Sequence, residues 1–262
     1  SDVYKRQYRS GCWDEMKERL LECEMLIAPS RFYAGLMSER LDIAPERIEV
    51  LANGINLEGY GKRPKEGPDA VGYFSRMCLD KGLGDMVDAY IILQQKGNFP
   101  ACRLRIAGSC PPGDEPFVAE QKQKIETAGL GHLVDWNPNL SREEKVCFLG
   151  ELTIFSAPMR YAEAFGLCLI EAMASGVPVV NPGGSTFEEI ALLTGGGKTV
   201  PPRDPSALAC AWEELLADPD EAAAMGERGR RGVEEHYSVT AMKDGFVALA
   251  ERACANLEPC SS

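Results

Sequence analysis

Long apolar runs are missing from this chain of 262 residues. None reaches the ~20 residues that a membrane-spanning helix needs, and no apolar leader segment is visible, so the expected location is the cytoplasm. Histidine is scarce, with only His132 and His236, and none of the ten cysteines forms a C-x-x-C pair. A zinc site therefore lacks ligands at the usual spacing. The scattered thiols, such as Cys78, Cys147 and Cys168 inside apolar elements, read as reduced small hydrophobes. No acidic cluster points to a divalent cation. Positive charge is short as well: 28 Lys and Arg face 40 Asp and Glu, a net charge of -12, which argues against a nucleic-acid surface. Other catalytic signatures fail on inspection. Residues 194–199, TGGGKT, would need a Gly at position 192 to make a phosphate loop, and Leu192 is there; residues 82–87, GLGDMV, end on Val87 where a dinucleotide fingerprint needs Gly. No G-x-S-x-G elbow is present, so serine hydrolase chemistry has no support.

What is present is strand–helix alternation. A helix is expected over 10–23, a short buried strand over 24–30 ending in the helix N-cap Ser30, a helix over 31–41, and a strand over 46–56 that runs into a turn at Asn53-Gly54. Residues 59–69 are rich in Gly, Pro and charge and read as a linker. Strands at 70–77, 102–109, 133–137, 153–158, 178–182 and 198–201 then alternate with helices at 82–97, 114–129, 142–150, 165–175 and 186–194. Helices at 204–217, 219–235 and 239–256 follow. This order predicts an α/β fold with a doubly wound parallel sheet, Rossmann-like, whose ligands sit outside the carboxyl ends of the strands.

The chemistry concentrates in residues 161–180, YAEAFGLCLIEAMASGVPVV. Glu171 falls in a helix that reads as buried nearly all round, and a carboxylate there costs several kcal/mol unless something hydrogen-bonds to it. Vicinal hydroxyls of a ribose would do so; so would a buried Lys or Arg. Glu163, just before the helix, can bind sugar hydroxyls or be an ordinary loop acid. Phe165-Gly166-Leu167 opens the helix, and a Gly there lets a phosphate approach the free N–H groups. Arg76 and Lys81, five positions apart after the first strand of the larger unit, can clamp a diphosphate or be solvated surface cations.

Taken together, Glu163-x7-Glu171, the Arg76/Lys81 pair and the alternation resemble the retaining family-4 (group 1) glycosyltransferases of GT-B architecture. Residues 28–56, 72–83 and 183–208 also resemble the family's sequence, in order. The resemblance implies a fold of two Rossmann-like domains and transfer of a sugar, with retention, from a nucleotide-diphosphate sugar such as a UDP- or GDP-sugar. No metal or other cofactor is implied. Arg76, Lys81 and Glu163 would be catalytic. Donor binding would fall to Arg76, Lys81, Gly108, Glu163, Ala164, Phe165, Gly166, Leu167 and Glu171. Pro138 stands where the family usually has Gly, near the base. The implied domains are a remnant of the acceptor domain plus linker at 8–67, the donor-binding domain at 68–236, and a helix at 237–262 that returns to the first domain, with Met242, Phe246 and Leu249 expected to be exposed. Residues 1–7, SDVYKRQ, resemble a translated sequencing adapter, so the chain is expected to be an N-terminally truncated piece without transfer activity of its own. The implied partners are the donor and an acceptor that the sequence does not specify. The alternatives are a related GT-B epimerase and a non-catalytic nucleotide-sugar-binding module.

Overall fold

Two parallel sheets organise the computed structural model, which describes residues 10–64 and 67–256; the adapter-like residues 1–7 lie outside them. Strands β1 (Leu26–Ala28) and β2 (Ile48–Val50) form the smaller sheet. The larger has six strands: β3 (Ala70–Phe74), β4 (Arg103–Gly108), β5 (Val134–Pro138), β6 (Ile154–Phe155), β7 (Val179–Pro182) and β8 (Gly197–Val200). Its spatial order is β5-β4-β3-β6-β7-β8 with every pairing parallel. The apolar run of β3 has no alternation because Ala70 through Tyr73 are buried, as expected of a central parallel strand.

Ten α-helices lie among the described residues: α1 (Ser10–Leu21), α2 (Arg31–Leu41), α3 (Leu83–Lys96), α4 (Glu115–Thr127), α5 (Arg142–Gly150), α6 (Leu167–Ala174), α7 (Thr186–Thr194), α8 (Pro205–Ala217), α9 (Pro219–His236) and α10 (Val239–Asn256). Their starts follow the sequence signals. Ser30 accepts from the Tyr33 N–H, and Ser141 and Glu144 make a reciprocal capping box. The core is continuous beneath both faces of β3 and β6. Trp212 of α8 is fully buried and donates through Nε1 to Ser156 Oγ at 2.9 Å.

Several sequence expectations are corrected. The strand at 46–56 shrinks to β2 because Pro45–Arg47 form a 3-10 turn. Asn53-Gly54 is no turn. Gly54 is needed because a Cβ there would overlap the Ser238 backbone, and the adjacent Ile55 bridges to Ser238. The strand at 153–158 keeps only two paired residues: beyond it, the Ala157 N–H donates to Asn181 Oδ1 at 2.8 Å instead of to a strand carbonyl, and Pro158 has no N–H. The α10 face is partly covered: Leu249 is buried and Met242 half-buried, while Phe246 is exposed. The cover comes from the smaller unit, where Met242 Sδ accepts from the Gly54 N–H and Arg252 pairs with Glu49. The described cysteines are free, but Cys12, Cys23, Cys210 and Cys254 are exposed rather than packed.

Candidate functional site

Chain order reverses between β3 and β6. From β3 the chain runs outward to β4 and β5, then returns to β6 and runs outward the other way. At such a switch point the loops leaving the two neighbouring strands diverge and open a crevice at their carboxyl ends. A cleft of about 560 Å³ lies there, lined among others by Ser75 after β3, Met159 after β6, Lys81, Lys145 and the run Glu163–Cys168 with Glu171.

The loop carrying Arg76 and Lys81 is fixed from below. Tyr73 is fully buried, and its hydroxyl donates to the Arg76 carbonyl at 2.8 Å, with the Lys81 carbonyl at 3.3 Å. Gly108 supports the same loop: its φ is +135°, and a Cβ there would overlap the Ser75 carbonyl oxygen. Gly108 itself does not line the cleft; its carbonyl takes the Asn139 N–H at 2.8 Å, beside Pro138 at the end of β5. The loop after β6 is tied to the smaller unit. Ser30 Oγ donates to the Ala164 carbonyl at 3.0 Å, and Thr186 Oγ1 lies 3.0 Å from the Ser30 hydroxyl. Glu189 accepts from the N–H groups of Arg31 and Phe32 at the start of α2.

Lys81 Nζ stands 2.5 Å from Glu163 Oε2 and 4.9 Å from the Tyr161 ring centroid. Burial opposes the Lys81 charge, but hydrogen bonds to Glu163 and Tyr161 outweigh it and hold the lysine pKa above its ordinary value. Burial likewise pushes the Tyr161 phenol up to about 12 and the Cys168 thiol up to about 12, so both stay neutral and protonated near pH 7. Gly166 caps α6 with φ 91°; its carbonyl takes the Leu169 N–H at 3.0 Å, while the N–H groups of Leu167 and Cys168 have no preceding helical carbonyl to bond.

Glu171 differs from the expectation. The helix is not buried all round: Leu167 is 48% exposed, and the α6 face bearing Leu167, Cys168 and Glu171 lines the cleft. Glu171 also has protein partners, since Oε1 accepts from Lys145 Nζ at 2.6 Å and from the Tyr60 hydroxyl at 2.9 Å. The buried-ion-pair reading of this residue is therefore realised, on the wall of the same cleft. Burial and Glu171 together raise the Tyr60 pKa above the ordinary tyrosine value. Arg76 is not brought into the cleft. Its guanidinium grips Asp114 at 2.6 and 3.2 Å and is more than half exposed. Tyr60, Lys145 and Tyr161 were not singled out from the sequence. No spacing rule flags them, because each meets the site from a different element. Among the described residues, no group of three or more His, Cys, Asp or Glu is placed to hold a metal ion, and no helix is long and apolar enough to cross a membrane.

Comparison with known proteins defines the class. The profile of glycosyl transferases group 1 matches residues 61–232, and the chain belongs to that family. Among curated relatives, it is 26% identical over 254 residues to the MMP alpha-(1->4)-mannosyltransferase of Mycolicibacterium hassiacum, covering 94% of this chain and 58% of the relative. It is 33% identical over 171 residues to the lipopolysaccharide core biosynthesis mannosyltransferase LpsB of Rhizobium meliloti, covering 61% and 42%. The chain thus spans about half the length of these relatives. Among solved structures, the sucrose-phosphate synthase of Thermosynechococcus elongatus superposes with a TM-score of 0.82 at 24% identity, covering 96% of this chain and 63% of that one. Anabaena HepE, in complex with UDP and glucose, superposes with 0.77 at 20% identity, covering 87% and 63%. The fold is of the GT-B glycosyltransferase type.

Proposed function

We propose that this chain is the donor-binding half of a retaining glycosyltransferase that takes its sugar from a nucleotide-diphosphate sugar. One observation carries the reading: Lys81, Glu163, the N-terminus of α6 and Glu171 converge on one cleft at the switch point of the sheet. In this reading Lys81 and the first-turn amides of α6 stabilise the charge that develops on the departing diphosphate, so that cationic side chains and a helix terminus supply what a metal ion would elsewhere. Glu163 takes sugar hydroxyls once Lys81 turns to the phosphates. Lys145 and Tyr60 hold Oε1 of Glu171, and Oε2 accepts from the ribose. Arg76 joins the diphosphate when it leaves Asp114. The HepE structures with UDP and with UDP-glucose support a nucleotide-sugar donor by fold analogy. Residues 68–236 would be the donor domain. Residues 8–67 and the helix at 237–262 would belong with an acceptor domain, and the packing of α10 on Leu51 supports that grouping. The chain alone would bind nucleotide without transferring sugar.

Calorimetry with UDP, GDP and ADP tests this. Binding of at least one is expected, and a folded sample that binds none overturns the site. Glu171→Ala should lower nucleotide affinity about tenfold, the scale of a charged hydrogen bond, with the circular dichroism spectrum unchanged. Gross unfolding would leave Glu171 a purely structural ion pair.

A further inference from the structure

Asp85 is nearly buried in the first turn of α3, with 5% of its surface exposed, and the donor reading gives it no part. Its carboxylate takes the Arg160 guanidinium as a fork: Nε donates to Oδ2 at 2.9 Å and a terminal nitrogen to Oδ1 at 2.5 Å. Arg160 lies in residues 156–166, which join β6 to α6 outside any helix or strand and bring Glu163 to the cleft. With no helix of its own, this segment is ordered by what it is tied to. At its far end, Thr186 Oγ1 donates to the Glu163 and Ala164 carbonyls at 3.0 Å. At its near end, the Arg160 N–H donates to the Asp80 carbonyl at 3.0 Å, and a Cβ on Gly82 would lie 1.9 Å from the Pro158 carbonyl oxygen. Asp80 and Gly82 flank Lys81, so the two segments that carry Lys81 and Glu163 are tied to each other directly.

Stability alone is a weak reason for a buried fork here. Such a pair gains little beyond its own desolvation, and apolar side chains of like volume pack as well. Placement is a better reason. Asp85 follows Lys81 by four positions on a regular helix, and Arg160 precedes Glu163 by three in an irregular loop. A planar two-bond contact fixes orientation as well as distance. We infer that Asp85 and Arg160 are positioning residues, whose fork sets the loop after β6 against the start of α3 and so holds Glu163 in the cleft for the hydroxyls of the donor sugar. The inference rests on the donor reading of the cleft. The helix is the fixed partner and the loop the adjustable one, and the Lys81 carbonyl is held separately by the Tyr73 hydroxyl. Breaking the fork therefore displaces Glu163 and spares Lys81, so the loss falls on the sugar and not on the diphosphate.

The test is calorimetry on the 262-residue chain with UDP-glucose, GDP-mannose and ADP-glucose, each compared with its free diphosphate. At least one nucleotide sugar and its diphosphate should bind. Asp85→Asn should weaken that nucleotide sugar about fivefold and its diphosphate less than about twofold. In a Glu163→Gln background the same substitution should cost less than about twofold on either ligand, because no carboxylate is left to place. Arg160→Lys keeps the charge and loses the fork; it should reproduce the effect, and it replaces Asp85→Asn should that variant fail to fold. Equal losses on both ligands, no loss on either, or an undiminished loss in the Glu163→Gln background would make the fork a structural ion pair and overturn the inference. Diphosphate binding with no nucleotide sugar bound overturns it as well. A folded chain that binds no diphosphate overturns the donor reading itself, and the positioning role falls with it.

Discussion

Lys145 of α5 and Glu171 of α6 form the best-sheltered ion pair on the cleft wall, 2.6 Å apart with side-chain exposures of 19% and 13%. Their attraction is little screened, and the Tyr60 hydroxyl on the same carboxylate oxygen completes the arrangement. Glu171 is thereby satisfied by the protein before any ligand arrives, and its orientation is set in advance.

Lys145→Ala should therefore destabilise the chain by about 2–3 kcal/mol, somewhat below the 3–5 kcal/mol of a fully buried pair because water reaches both groups. Urea denaturation measures it. A loss within about 0.5 kcal/mol would mean that the pair behaves as a surface contact.

Gly108→Ala should be more severe. The added methyl meets the Ser75 carbonyl oxygen, and the φ of +135° is itself strained for any side chain. A loss of at least about 3 kcal/mol is expected. Gly97→Ala is the control: its φ is +75° but open space surrounds it, so about 1 kcal/mol is expected. Equal melting temperatures for the two variants would contradict the packing of the loop after β3 on β4.

Ser30→Ala removes both an N-cap and the tether to the Ala164 carbonyl. It should cost about 1–2 kcal/mol and accelerate amide hydrogen exchange at Leu167 and Cys168, since the loop entering α6 loses its anchor. Unchanged exchange with the same loss of stability would reduce Ser30 to a cap alone.

The Lys81–Glu163 pair predicts a pH dependence. The folded pKa of Lys81 is raised, so the stability it brings is complete below the ordinary lysine value, about 10.4, and is lost as pH climbs through the higher folded value. The stability difference between the native chain and Lys81→Met should be level from about pH 6 to 9 and shrink above about pH 11. A difference that grows with alkalinity would show that Lys81 is held by burial and not by Glu163.

The α/β alternation was legible because apolar runs bounded by Gly, Pro and capping residues carry their own local physics. Helices α2, α5, α7 and α10 have the limits that the pattern implies. Strand ends were less legible. Residues 156–158 look like strand, yet after Ser156, whose N–H still bonds the Gly72 carbonyl, the Ala157 N–H meets a side-chain amide, Asn181, from another strand. Gly54 looked like turn chemistry and is instead a point of close approach to residue 238, which no local rule reports.

The sequence by itself determined the fold class and pointed to the stretch that lines the cleft, because both depend on periodicity and on a few short motifs. Tertiary structure alone decided which groups meet there. It turned Arg76 toward Asp114, joined Lys81 to Glu163, and brought Lys145 and Tyr60 to Glu171 from 26 and 111 positions away. A charged side chain settles on whichever opposite charge the packed elements place within reach, and that distance exists only once the sheet has been assembled.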